Sequence, residues 1–382
     1  MPDDNMKVKR SAGAAVFILI YAAITYYIGW SASAFMQSYH LQTGWIWLPV
    51  IFFALSYFAA MGLIRVWDSA LIRGVKVVSS FYVAILEYLI LLLPAAGLIG
   101  LAWNAAGGDT DAYVQAAGWT VLALLAILLF WGSRNAWSPV VREHTLEIAK
   151  SVPGRTGIRI MVASDIHLGN IVGNRHLRKL VRKAEQLKPD LILLPGDVID
   201  DSVKPFLRNK MADTISGLKA PLGTYAVLGN HEYYGGHIDE YTAAMAHAGI
   251  PVLQDELVET GGVFIAGRKD KTAESPAFGG RLSVQELVRG ADPSAPLIVL
   301  DHQPYAFDKA AAAGADLLLC GHTHRGQFAP NHLVTRRLFE LDWGYMIKSR
   351  MHVLVSSGFG TWGPPIRLFS RSEILHITIH FV

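Results

Sequence analysis

Four apolar stretches, at residues 14–30, 45–64, 77–103 and 113–131, constrain this chain more than any other feature in it. Crossing the hydrocarbon core of a bilayer takes about 20 residues of helix, and each stretch is of that order. In hydrocarbon a chain must satisfy its backbone hydrogen bonds internally, so segments of this kind are expected as helices. Tryptophans 30, 45, 103, 119 and 131 stand at their edges, where an amphipathic ring suits the membrane interface. Of the 382 residues, 52% are apolar and 17% charged, an apolar excess for a soluble enzyme. It falls almost wholly before Trp131, so the sequence divides into two unlike halves within a length that has room for two or three domains.

The connections set an orientation. Lys7, Lys9 and Arg10 precede the first stretch, Arg65, Arg73 and Lys76 lie between the second and third, and Arg134 and Arg142 follow the fourth. Residues 31–44 and 104–112 contain no Lys or Arg, and the latter carry Asp109 and Asp111. The positive-inside rule then expects both termini in the cytoplasm, in an inner or plasma membrane. A cleavable signal is the rival reading of the first stretch, through Ala32-Ser33-Ala34; it leaves the second half on the same side. Glu87 is an intramembrane carboxylate if its span begins near Val77 and interfacial if it begins near Leu86. Pro94 in the same span is expected to kink the helix rather than end it.

In the second half, short apolar runs end repeatedly in polar residues. IRIMVA leads into SDIH, DLILL into PGD, GTYAVL into GNHE, LIVL into DHQP and DLLLC into GHTH. The carboxyl ends of strands are where α/β sheets place their chemistry. Carboxylate and amide oxygens with imidazole nitrogens, and no thiolate among them, suit Mn, Fe or Zn ions. Two such cations about 3.5–4 Å apart clamp a phosphate and activate a water. One carboxylate must then reach both, and Asp197 in the turn after its strand is the natural candidate. A lone D-x-H carries little weight; five strand ends with such residues carry much more.

The remaining composition excludes other classes. A net charge of +3 is too small to indicate nucleic acid. One cysteine, Cys320, leaves no disulfide framework, and at the end of an apolar strand it reads as a buried small hydrophobe. Neither a phosphate-cradling G-x-x-x-x-G-K-[ST] loop nor a G-x-S-x-G nucleophile elbow is present.

The ordered pattern D-x-H, G-D, G-N-H-E, H-x-P, G-H-x-H resembles the calcineurin-like metallophosphoesterases across about residues 143–382. GHTHRGQ and SSGFGTWGPPIRL make the membrane-attached subgroup the nearest likeness. The resemblance implies a helical membrane bundle at 1–131, a linker with a first strand at 132–156, and an α/β catalytic domain at 157–382. That domain would consist of two mixed sheets packed face to face and flanked by helices. Two divalent metal ions are implied, one held by Asp165, His167, Asp197 and His324, the other by Asp197, Asn230, His302 and His322. His231 would give a proton to the leaving oxygen. Arg325 stands where the subgroup usually has Gly and is expected to meet substrate charge; Arg367 either reaches a substrate phosphate or lies exposed. Relatives that cleave a lipid-linked pyrophosphate, such as UDP-diacylglucosamine hydrolases, suggest a phospholipid or lipid-linked phosphate as substrate. The alternative is a membrane receptor or transporter with a regulatory phosphatase domain, for which Glu87 is the only support.

Three further segments carry expectations. Residues 174–187 place Leu177, Leu180, Val181, Ala184 and Leu187 at helical spacing, opposite Arg175, Arg178, Lys179, Arg182 and Lys183. That basic face is either solvated or set against anionic lipid. Asp200 and Asp201 read as structural loop carboxylates. Residues 330–351 mix basic and aromatic side chains, as an interfacial flap or as a hairpin on the sheet, and residues 373–381 alternate as a closing strand.

Overall fold

The computed structural model describes residues 4–67 and 69–382, without the side chains of 4–12 and of Arg65. The side chains of Lys7, Lys9, Arg10 and Arg65 of the basic pattern therefore lie outside what is described. The chain forms two compact units, residues 1–130 and 131–382.

The first unit is helical: α1 (Asp4–Gln37), α2 (Trp47–Val66), α3 (Ala70–Ala105) and α4 (Thr110–Trp137), whose last turns belong to the second unit. Each is long and apolar enough to cross a membrane. Large apolar residues such as Leu19, Leu98 and Phe130 face outward, whereas Ser56, Ser79 and Ser80 are buried. Those hydroxyls donate back to helix carbonyls, Ser79 to Val75 at 2.6 Å and Ser80 to Val77 at 2.7 Å, which satisfies them where water is absent. The helices outrun the apolar stretches. The Ser69 side chain caps α3 by accepting from Ile72 N, so the helix begins before Val77 and runs on past Pro94. At 1.5 Å per residue α3 is about 54 Å long, more than a bilayer core needs, and Glu87 lies half-buried well inside it.

The second unit is a layered α/β sandwich. Its strands are β1 (Val140–Ile148), β2 (Gly157–Val162), β3 (Leu191–Pro195), β4 (Thr224–Val227), β5 (Val252–Leu253), β6 (Glu256–Thr260), β7 (Val263–Gly267), β8 (Leu297–Leu300), β9 (Leu317–Cys320), β10 (Gly344–Lys348), β11 (Met351–Val355) and β12 (Glu373–Phe381). They form two mixed six-stranded sheets, β1-β12-β2-β3-β4-β5 and β10-β11-β9-β8-β7-β6. Strands β3, β8 and β9 are buried on both faces, which is why their sequences read as unbroken apolar runs. Ile160, Val162 and Leu193 from the first sheet meet Ile298, Leu300 and Leu319 from the second in the central core. Helix α5 (Asn174–Leu187) covers the first sheet, setting Leu177, Leu180 and Ala184 against Met161, Ile192 and Leu194. Val284, Leu287 and Phe307 cover the second.

Two segments gain detail beyond their sequence reading. β12 lies inside the first sheet, parallel to β1 and antiparallel to β2. Residues 330–351 divide: 332–338 form a short exposed helix, while β10 pairs antiparallel with β11 as a hairpin.

Candidate metal centre

The carboxyl ends of β2, β3, β4, β8 and β9 converge on one site. Asp165 and His167 follow β2, Asp197 follows β3, and Asn230 and His231 open the helix Asn230–Gly235 after β4. His302 follows β8, and His322 and His324 follow β9. Five of these residues hold left-handed backbone: Asp165 (φ 51°), His167 (51°), Asp197 (52°), His322 (75°) and His324 (49°). This conformation is uncommon outside glycine and costs of order 1–3 kcal/mol at each strained position. Its concentration here marks the site as built for something other than stability.

Two groups of candidate ligand atoms lie side by side. In the first, Nε2 of His167 and Nε2 of His324 face each other at 2.9 Å, and Asp165 Oδ1 is 3.5 Å from the latter. In the second, His302 Nε2 lies 3.0 Å from Asp197 Oδ2 and 3.1 Å from Asn230 Oδ1, which is also 2.8 Å from His322 Nδ1. Asp197 Oδ2 is 3.9 Å from His167 Nε2, so one carboxylate oxygen stands between the groups. His302 Nδ1 sits 2.8 Å from Pro195 O; donating there leaves the Nε2 lone pair directed into the site.

The residues fit divalent cations. Asp165 Oδ2 is buried with no hydrogen-bond partner, a costly state for a carboxylate oxygen, and burial raises the Asp165 carboxyl to about 6. Burial also holds His167 and His324 well below their ordinary value, leaving neutral imidazoles able to ligate. Gly321 and Gly229 allow the close approach: a β-carbon at either would collide with Asp165 Oδ2 or with Asp197.

His231 stands beside both groups. Its Nδ1 is 2.7 Å from Asp201 Oδ1 and 3.8 Å from Asp200 Oδ1, and its Nε2 is 4.0 Å from Asp197 Oδ2. Burial works to lower its pKa, but Asp197, the hydrogen bond to Asp201 and the Asp200 charge outweigh this and raise it to about 9.

Several placements add to or correct the sequence reading. Asp201 is the hydrogen-bond partner of His231, beyond the structural part expected of it. Glu232 was not singled out, yet its buried carboxylate accepts from Asp197 N (3.1 Å), Ile199 N (3.0 Å) and Gly229 N (2.7 Å), tying the β3 and β4 loops together. Three residues after Gly229, it supplies the one half of a capping box that a glycine N-cap permits, the carboxylate reaching back to the N-cap N–H. Asp301 is paired with Arg268 at 2.9 Å and Arg281 at 3.1 Å instead of entering the site. Arg325 is half-buried with its guanidinium 4.0 Å from the centre of the Trp343 ring. Arg367 corrects one of the two alternatives offered for it, that it lies exposed. It is fully buried, donates to Gly360 O from Nε (3.0 Å) and Nη2 (2.6 Å), and lies 3.0 Å from His324 Nδ1.

Residues 158–326 match the calcineurin-like phosphoesterase family. An uncharacterized metallophosphoesterase of Aquifex aeolicus is 35% identical over 242 residues, covering 63% of this chain and 91% of that protein. A transmembrane protein with metallophosphoesterase domain from Bos taurus is 32% identical over 298 residues, covering 73% of this chain and 67% of the relative. Its namesake from Danio rerio is 31% identical over 274 residues, with 68% of this chain and 62% of the relative covered.

Proposed function

This chain belongs to the calcineurin-like metallophosphoesterases, and we propose that it hydrolyses a phosphoester or pyrophosphate bond of a lipid or lipid-linked substrate at the cytoplasmic membrane surface. Asp165, His167, Asp197 and His324 would hold one divalent ion, and Asp197, Asn230, His302 and His322 the other. When bound, such a pair supplies Lewis-acid activation of water and neutralises charge on the phosphoryl group. The carrying observation is Asp197 Oδ2, set 3.0 Å from His302 Nε2 and 3.9 Å from His167 Nε2, between the two ligand groups.

The protein's own groups divide the rest of the work. In the hydrolysis a water oxygen bonds to phosphorus, the bond from phosphorus to the leaving oxygen breaks, and that oxygen needs a proton. His231, raised to about 9, carries one at neutral pH. Its Nδ1–H donates to Asp201, which turns Nε2–H toward the site and makes it the general acid. Glu232 holds the backbone of Asp197 and Gly229 in register, so the shared carboxylate does not drift.

The membrane reading is supported by four apolar helices and by the placement of Lys and Arg in alternate connections. Manganese, iron and zinc all suit the donor set. The test is the purified full-length protein, with metal content measured, assayed against phospholipids, a lipid-linked pyrophosphate and a soluble phosphodiester. Turnover of a lipid-borne substrate well above that of the soluble diester is expected. Activity on the soluble diester with none on any lipid would overturn the substrate assignment and leave the reaction class standing.

A further inference from the structure

We propose that the helix His332–Leu338 and the loop 360–370 form a platform that inserts into an anionic phospholipid bilayer and seats the mouth of the metal centre on it. Large apolar side chains are concentrated there. Leu333 and Val334 are each 55% exposed, Leu338 66%, Trp362 58% and Phe369 71%, grouped on two segments that the His332–Phe369 ring stack joins. Exposed apolar clusters of this kind mark contact surfaces.

The platform is held rigidly. Gln327 is buried, and its Nε2 donates to Trp362 O (2.8 Å) and Pro364 O (3.0 Å), while its Oε1 accepts from Trp362 N (2.8 Å). Ser370 Oγ donates to Gln327 O at 2.7 Å, and the His332 and Phe369 rings stack at 5.4 Å with planes 3° apart. Gln327 follows directly on the His322–His324 ligand loop, and the Trp362 ring centre is 6.4 Å from that of His231. The apolar surface and the site mouth are therefore parts of one scaffold.

Its position identifies the occupant. Arg367 N donates to Gly132 O (2.9 Å), Asn135 Nδ2 to Arg367 O (3.1 Å) and Arg371 to Ser138 O (3.0 Å). The platform loop is thus bonded to residues 132–138, at the end of the candidate span Thr110–Trp137. Lys179 of α5 donates to Trp137 O at 2.5 Å, so α5, with Arg175, Arg178 and Arg182 exposed, meets the same chain end. Arg336 and Arg337 on the platform helix are exposed as well. Apolar side chains for the acyl boundary with arginines for anionic headgroups, on the unit that the last turns of α4 enter, match a lipid surface.

The contact is read without turnover, so it fails or stands separately from the proposed reaction. Full-length protein with Cys320 replaced by Ala receives one cysteine at Val334, Phe369 or the exposed control Ser275. Each variant is labelled with bimane and placed in nanodiscs of phosphatidylcholine and phosphatidylglycerol. The probes at 334 and 369 should be quenched several-fold more by doxyl-labelled lipid than the probe at 275, and less by aqueous iodide. Retained metal content and turnover of a soluble diester verify that each variant is folded. Iodide quenching at 334 and 369 equal to that at 275, without lipid quenching, would overturn the proposal. Protection from both quenchers would overturn it too, by showing that protein covers the surface.

Discussion

The two units bury opposite things. In residues 1–130, leucines and phenylalanines face outward and serines are buried against helix carbonyls. In residues 131–382, aliphatic side chains fill the layers, and the buried polar residues include Asp165, Asp197 and Glu232. A buried hydroxyl in a membrane helix is satisfied by its own backbone, at little cost. A buried carboxylate has no such local partner and needs N–H donors, an arginine or a cation. Burial in the first unit therefore points to packing, and buried charge in the second points to chemistry.

Substitutions put this contrast to the test. The largest effect is expected from Asp197→Asn, which should lose bound metal and activity together, as read by elemental analysis and phosphodiester turnover. His231→Gln should retain its metal and lose about 10²–10⁴-fold in turnover, the range for a general acid; a metal-free His231 variant would make it a ligand instead. Next, Leu124→Arg on the outward face of α4 should cost about 2.5–3.5 kcal/mol of membrane insertion. Gln186→Arg on the exposed face of α5 should change stability by no more than about 0.5 kcal/mol. Equal tolerance at these two positions, by an insertion assay and a thermal melt, would dissolve the distinction between the units.

Smaller changes test the support around the metals. Glu232→Gln turns an acceptor of three backbone N–H groups into an amide that offers one of them a donor, with an expected loss of about 1–3 kcal/mol by thermal unfolding. Asp201→Asn should act through pH. The proton on His231 is present below its raised value of about 9 and is lost as pH rises through it. Removing Asp201 removes a raising contact, so the alkaline limb of kcat should move to lower pH. Because Asp201 is half exposed, the shift should be less than about one unit.

Much of this was legible in the sequence. The candidate ligand residues lie directly after apolar runs, so their placement at strand ends needs only local pattern. Helix α5 was equally plain, because its apolar spacing and its Lys and Arg fall on opposite faces. What the sequence could not supply are partners fixed by long-range packing. Arg367 meets His324 across 43 residues, and Asp201 meets His231 across 30. An arginine beyond a glycine–proline loop looks the same in sequence whether it ends in solvent or in the core. β12 likewise reads as a strand from its alternation, but its place between β1 and β2 depends on pairing with distant segments.

If the proposed reaction is right, the metal centre works on the side of the membrane that carries the basic connections. Single cysteines at His40, Asp109 and Ser275, in the Cys320→Ala background, test it with a membrane-impermeant maleimide. His40 suits the labelling because it is exposed. The account predicts labelling at 40 and 109 in intact cells, and at 275 only after permeabilisation. Labelling at 275 in intact cells would place the catalytic unit outside the cytoplasm and contradict it.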